Sequence, residues 1–170
     1  MKLKAIILTT LIAAALIPGS PQVTLAESSN APNSCSVAYH DSMEDFADLY
    51  IDVYNSQDVS RFDEVMAPGA INYNPLGTVT VPELAGMMQG FYAAFPDLTY
   101  EVVQVLVDGD RLILEYTYTG THLGELMGVP ATGTVVHGRG LEVHVMEAGL
   151  IAETYNYSDV FGLFAQLGLI

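Results

Sequence analysis

From Leu98 onward the chain consists of four strand-length runs rich in β-branched and aromatic residues, each closed by a turn signal. Residues 98–107 and 111–121 flank Asp108-Gly109-Asp110, a hairpin signature, and residues 134–147 and 150–157 flank Ala148-Gly149. Between the two hairpins lies a loop bearing Gly and Pro, residues 124–133. Short connections of this kind join antiparallel neighbours, so the second half of the chain is a meandering antiparallel sheet.

The first half reads differently. Asp41 or Ser42 can cap a helix reaching about Asn55, with Glu44 and Asp45 in the first turn, where the macrodipole favours acids. Phe46, Leu49, Tyr50, Val53 and Tyr54 recur at helical spacing and form its apolar face. Asp58 opens a second short helix through Val65-Met66, ended by Pro68-Gly69, and residues 70–74 form a short strand stopped by Pro75. Pro82 suits the first turn of a third helix, which ends before Phe95-Pro96 because the residue before proline resists helical geometry. Asp159 starts a short closing helix carrying Phe161, Leu163, Phe164 and Leu167. Helices followed by a curled antiparallel sheet predict an α+β fold. Its expected form is a cone-shaped sheet wrapped over the helices, with an apolar cavity between them suited to a small molecule.

At 170 residues and 51% hydrophobic, the chain can build one domain with a real core. Its 20 acidic residues against five basic ones, Lys2, Lys4, Arg61, Arg111 and Arg139, argue against nucleic acid and anionic membranes as partners. Lys2 and Lys4 precede an uncharged apolar run, residues 5–17, broken by Pro18, Gly19 and Ser20 and followed by Thr24-Leu25-Ala26. That pattern is a secretory signal over residues 1–26, too short to span a bilayer. Residues 27–40 read as a flexible leader and residues 41–170 as the domain. Cleavage after Ala26 leaves three arginines, no lysine and all 20 acidic residues, a formal charge of −17. Chemistry through a lysine Schiff base or a phosphate-loop lysine is then excluded. The acidity keeps a rather apolar exported protein soluble, or reflects a saline habitat. Cys35 is the sole cysteine, so an internal disulfide is excluded.

Metal chemistry finds little support. His122 and Glu125 share a glycine-bearing loop, and His137 and His144 lie seven apart on one strand, facing opposite sides of the sheet. Nucleophile-elbow, phosphate-loop and zinc-protease motifs are absent. Carboxylates remain. Glu115 and Glu142 sit between apolar neighbours and are expected on the solvated face. Asp159, at a strand end beside the cavity, is either a helix cap or a proton carrier whose pKa desolvation raises. If the last strand stays regular, Glu153, Tyr155, Tyr157 and Asp159 share a face. His144 could lie across from it.

Several segments together resemble the SnoaL-like polyketide cyclase family: Phe95-Pro96-Asp97-Leu98, Val107-Asp108-Gly109-Asp110, Gly120-Thr121-His122-Leu123-Gly124-Glu125, Gly128-Val129-Pro130-Ala131-Thr132-Gly133 and Ser158-Asp159-Val160-Phe161-Gly162-Leu163. The resemblance spans about residues 43–168. It implies a nuclear transport factor 2-like cone and an intramolecular aldol reaction that closes a ring in a polyketide ester. No metal or organic cofactor takes part, and one aspartate serves as general acid and base. By motif position that aspartate is Asp159, and His122 falls where a pocket-edge role is expected. The chain departs from the family at Asn72-Tyr73-Asn74-Pro75, where a His often precedes Asn-Pro. It departs again at Glu115, where many relatives carry Arg, and at Tyr155, where they carry Trp. Neutral donors such as Tyr73 or Tyr155 would then replace Arg in stabilising an enolate.

The expected catalytic residue is therefore Asp159, with Tyr73, His122, His144 and Tyr155 as polar groups that bind a hydrophobic or aromatic small molecule. Two rival readings are an exported binding protein without chemistry and a structural module whose cone is filled by side chains. A homodimer is expected through the outer face of the long strands, where Val and Tyr residues need covering.

Overall fold

The structure, a computed structural model, describes the backbone of residues 34–170 and the side chains of residues 42–170. The signal segment and the start of the leader lie outside the described residues. Helix α1 spans Ser34–Asn55, so it begins well ahead of the cap expected at Asp41 or Ser42. Neither glycine nor proline occurs between Ser34 and Asn55, and nothing interrupts the helix there. Its buried stripe is Met43, Ala47, Tyr50, Val53 and Tyr54. Leu49 of the expected face points out to solvent, 37% exposed.

Asp58 caps a short 3-10 helix, Val59–Glu64, by accepting the Ser60 N–H. The chain then turns directly into strand β1, Met66–Asn74. Pro68-Gly69 therefore does not end a helix. The pair falls inside the strand, where the register with its neighbour shifts between Met66 and Ile71. Bulges of this kind accommodate residues that cannot extend a ladder. Pro75 and Leu76 form the tip of a tight hairpin to β2, Gly77–Thr80, with Asn74 Oδ1 accepting the Leu76 N–H. Helix α2, Val81–Ala94, starts at a capping box in which the Glu83 carboxylate accepts the Thr80 N–H and O–H.

The remaining strands match the expected hairpins closely: β3 Thr99–Asp108, β4 Arg111–Thr121, β5 Val135–Glu147 and β6 Leu150–Asn156. Helix α3, Val160–Gln166, closes the described chain. All six strands form one curved, open sheet in the order β2-β1-β6-β5-β4-β3. Every neighbouring pair is antiparallel except β1 and β6. Alternation then divides the residues by face. Along β5, Val136, Gly140, Glu142, His144 and Met146 face inward, while Leu141, Val143 and Val145 face outward.

Two apolar clusters fill the inside. One joins α1 and the 3-10 helix to Leu112, Leu114 and Ile151. The other gathers Phe95, Leu98, Tyr116, Tyr118, Val136 and Leu163. The loop from His122 to Thr134 is pinned to the end of α2, where Leu123 and Gly124 both donate to the Ala94 carbonyl. Gly124 is obligatory at that contact, because a Cβ would lie 2.2 Å from the Ala93 carbonyl oxygen.

Candidate active site

Between α1, α2 and the inner face of the sheet lies a cavity of about 410 Å³. Leu84, Met87, Met88 and Phe91 of α2 form one wall, and Leu163 and Phe164 of α3 another. Leu126 and Met127 close over it from a tight turn in the long loop, where Leu126 and Val129 exchange backbone hydrogen bonds. The floor is phenolic: Tyr50 and Tyr54 from α1, Tyr100 from β3, and Tyr116 and Tyr118 from β4. Among the described residues, no lysine or arginine lines the cavity. Arg61 is engaged elsewhere, with Asp52 and Glu64.

At the bottom sits Glu142. It lies among the cavity-lining residues although only 4% of its surface is exposed. Tyr50 Oη donates to Oε2 at 2.9 Å, and Asn156 Nδ2 donates to Oε1. Burial pushes the Glu142 carboxyl above the ordinary glutamate value, and the hydrogen bonds from Asn156 and Tyr50 oppose that rise. Glu142 therefore does not occupy the solvated face expected for it. Leu141 and Val143, the neighbours that suggested an inward strand face, are the residues that point out. Glu115 does lie on the outer face, partly exposed.

His144 is fully buried two residues further along β5. Its Nδ1 bonds the Thr154 hydroxyl at 3.0 Å, and its Nε2 lies 3.5 Å from Glu142 Oε2. Burial lowers its pKa to about 3. The contact with Glu142 is thus between a carboxyl and a neutral imidazole rather than an ion pair. His144 does not itself line the cavity; it backs the residue that does. His137, on the same strand, is exposed on the other face, as the odd spacing requires.

The other sequence candidates lie apart from this floor. Tyr73 and Tyr155 stack on each other with ring centroids 4.8 Å apart, and Tyr155 Oη donates to Glu153 at 2.6 Å. They occupy the outer face, because their neighbours Asn72, Asn74 and Asn156 are the ones that line the cavity. The shared face of Glu153 and Tyr155 is real, and it is the face turned away from the cavity. His122 is fully buried behind the wall, its ring 5.2 Å from that of Phe95 and its Nδ1 near Thr132 Oγ1 at 3.1 Å. There it fastens the long loop. Asp159 is exposed and caps α3, accepting the Gly162 N–H at 2.7 Å. It stands at the rim beside Tyr118, whose hydroxyl is pushed up to about 12, first by burial and then by the nearby Asp159 charge. Among the described residues, no three His, Cys, Asp or Glu side chains gather in a group that could hold a metal ion.

An open curved sheet folded over helices around a small-molecule cavity is the nuclear transport factor 2-like arrangement. The sequence model for SnoaL-like polyketide cyclases matches residues 44–167, and the chain belongs to that family. It is 29% identical over 131 residues to the aklanonic acid methyl ester cyclase DnrD of Streptomyces peucetius, covering 69% of this chain and 85% of that protein. The corresponding cyclase DauD of Streptomyces sp. strain C5 is also 29% identical, with 76% of its length covered. Among solved structures, IdmH of Streptomyces antibioticus is similar with a TM-score of 0.66 and 29% identity, covering 74% of this chain and 98% of IdmH. TsrD of Streptomyces laurentii shares the fold with a TM-score of 0.69 at 23% identity, covering 76% of this chain and 97% of TsrD.

Proposed function

We propose that the protein is an exported, cofactor-free cyclase-type enzyme. It carries out general acid/base chemistry on a small hydrophobic carbonyl compound, with Glu142 as the proton-transfer group. The observation that carries this reading is a desolvated carboxylate at the floor of an apolar cavity, held by Tyr50 and Asn156 with no lysine or arginine beside it among the described residues. Desolvation makes the carboxylate a stronger base, suited to removing a proton from the carbon next to a carbonyl. The resulting enolate carbon attacks a second carbonyl of the same molecule, forming the ring C–C bond. The new alkoxide then takes the proton back from Glu142, so the enzyme ends as it began.

Asp159 is the rival proton carrier, and the two make opposite predictions. Aklanonic acid methyl ester, the compound in the relatives' names, and a simple β-keto ester in D2O serve as trial substrates, with ring closure and deuterium uptake followed by mass spectrometry. Glu142→Gln is expected to cut turnover by about 10²- to 10⁴-fold, the usual worth of one positioned acid/base group. Asp159→Asn, which still caps a helix, is expected to leave it within about threefold. The reverse pattern would return the role to Asp159. The apolar walls favour a second reading, a binding protein for a hydrophobic or aromatic molecule. A ligand retained through purification, with no turnover of either trial compound, supports that one.

Export rests on residues 1–26. Protein recovered outside the cytoplasm is expected to begin at Glu27 on N-terminal sequencing, and a product retaining Met1 would refute it.

A further inference from the structure

Asn156 connects Glu142 to a second cavity group. Its Nδ2 donates to Glu142 Oε1 and, at 3.3 Å, to the Tyr116 hydroxyl oxygen. Its carbonyl accepts both the N–H and the O–H of Ser158. An amide has two donor hydrogens and two acceptor lone pairs, so Asn156 is fully used. The Tyr116 oxygen is then an acceptor toward Asn156, and its own hydrogen remains to be placed. Ser158 Oγ, at 3.5 Å, stands at the outer limit of a hydrogen bond. A ligand oxygen at the usual O–H···O separation of about 2.7 Å would be a far better partner.

The backbone is shaped to hold the phenol there. Tyr116 on β4 pairs with Gly140 on β5, and a Cβ at Gly140 would lie 2.5 Å from the Tyr116 hydroxyl oxygen. The missing side chain lets the ring lie across β5 toward Glu142, which is the next inward residue on that strand. Burial, and then the Glu142 charge, hold the phenol protonated. It accepts from Asn156, and its own hydrogen is free to be donated to a ligand.

We propose that the Tyr116 hydroxyl donates the hydrogen bond that stabilises the enolate oxygen, and that Asn156 and Gly140 are positioning residues that fix it against Glu142. This rests on the proposed acid/base reading of the cavity. As the proton moves from substrate carbon to Glu142, the negative charge passes from Glu142 to the enolate oxygen. The cavity carries one charge throughout, and a neutral donor suffices where no arginine is available.

The test uses ionisable aromatic alcohols as enolate mimics: 2-naphthol and ring-substituted naphthols of graded acidity, titrated by fluorescence at fixed pH. The background is Glu142→Gln, which imitates the protonated acid that coexists with the enolate. Affinity is expected to rise with the acidity of the naphthol. Adding Tyr116→Phe should weaken binding of the most acidic member by at least about tenfold and flatten the dependence on acidity, since a bond to a charged acceptor is lost. Adding Gly140→Ala, which displaces the hydroxyl without removing it, should flatten it in the same direction while circular dichroism stays unchanged. The proposal is overturned if Tyr116→Phe preserves both affinity and slope, or if the Glu142→Gln background binds none of the series up to its solubility. A slope lost in Tyr116→Phe, together with full turnover by Glu142→Gln, would overturn the role of Glu142 alone and leave the donor in place.

Discussion

Burial raises the Glu142 carboxyl against the opposing hydrogen bonds from Asn156 and Tyr50, and one shift produces two opposite pH responses. An acid whose folded pKa lies above its unfolded value binds more protons folded than unfolded between the two values. Its contribution is most favourable below about pH 4.5 and is lost as pH rises through the folded pKa. At neutral pH and above, to the extent that Glu142 is ionised, it therefore costs stability. Glu142→Gln is expected to melt a few degrees higher there by calorimetry, with the gap closing as the pH falls toward 4.5. Turnover runs the other way, because the base must be ionised. The acid limb of kcat/KM is expected above pH 4.5, and a limb at or below the ordinary glutamate value would contradict the assignment. Glu142 was legible in the sequence only as a carboxylate between Leu141 and Val143. With apolar residues on both faces of a sheet, apolar alternation alone does not mark which face is the inside. A signal did exist: Gly138, Gly140, Glu142 and His144 alternate along β5, and small or polar residues in one phase mark a face that leaves room for something else.

At the scale of elements, turn chemistry carried most of the information. Asp108-Gly109-Asp110 and Ala148-Gly149 fixed both hairpins, with Gly109 and Gly149 at positive φ as tight turns require. Pro82 and Phe95-Pro96 bracketed α2 within a residue or so. What was missed in the sheet lies at prolines, where tertiary pairing overrides local preference. Pro75 does end β1, at Asn74, but it is also the tip of a hairpin whose returning strand, β2, carries no local signal of its own. Pro68-Gly69 looked like a helix stop and is a strand irregularity, since β6 supplies the pairing on either side. The face of β6 was readable as an alternation, but its orientation was not. Cross-strand register with β5 puts Thr154 and Asn156 inside, opposite His144 and Glu142, and leaves Tyr155 outside. Asp159 is the element-scale ambiguity that sequence could pose without resolving, a cap placed at a cavity rim.

For the whole molecule, the outer face of the sheet is the feature still to be accounted for. Val103 and Leu106 of β3, Leu141 of β5 and Tyr73 of β1 are 37% to 55% exposed. Ile113, Val143 and Val145 lie partly covered between them. An apolar sheet face of this breadth is the kind that a second copy covers in a stable homodimer, burying roughly 1,200–2,000 Å² in all. The same face carries Glu101, Glu115 and Glu147 beside Arg111 and Arg139, and the chain as a whole has a formal charge of −15. Two such chains repel, and the repulsion is screened over about 10 Å at 0.1 M salt. Dimerisation is therefore expected to strengthen as salt is added, the opposite of an interface held by ion pairs. Light scattering at micromolar concentration is expected to give a dimer mass at 0.3 M salt and a larger monomer fraction at 0.02 M. Leu141→Asp, which sets one more negative charge in the middle of the apolar patch without touching the cavity, is expected to give monomer at both. A monomer mass for the unaltered protein at high salt would remove the interface, and a dimer that Leu141→Asp leaves intact would move it to another surface.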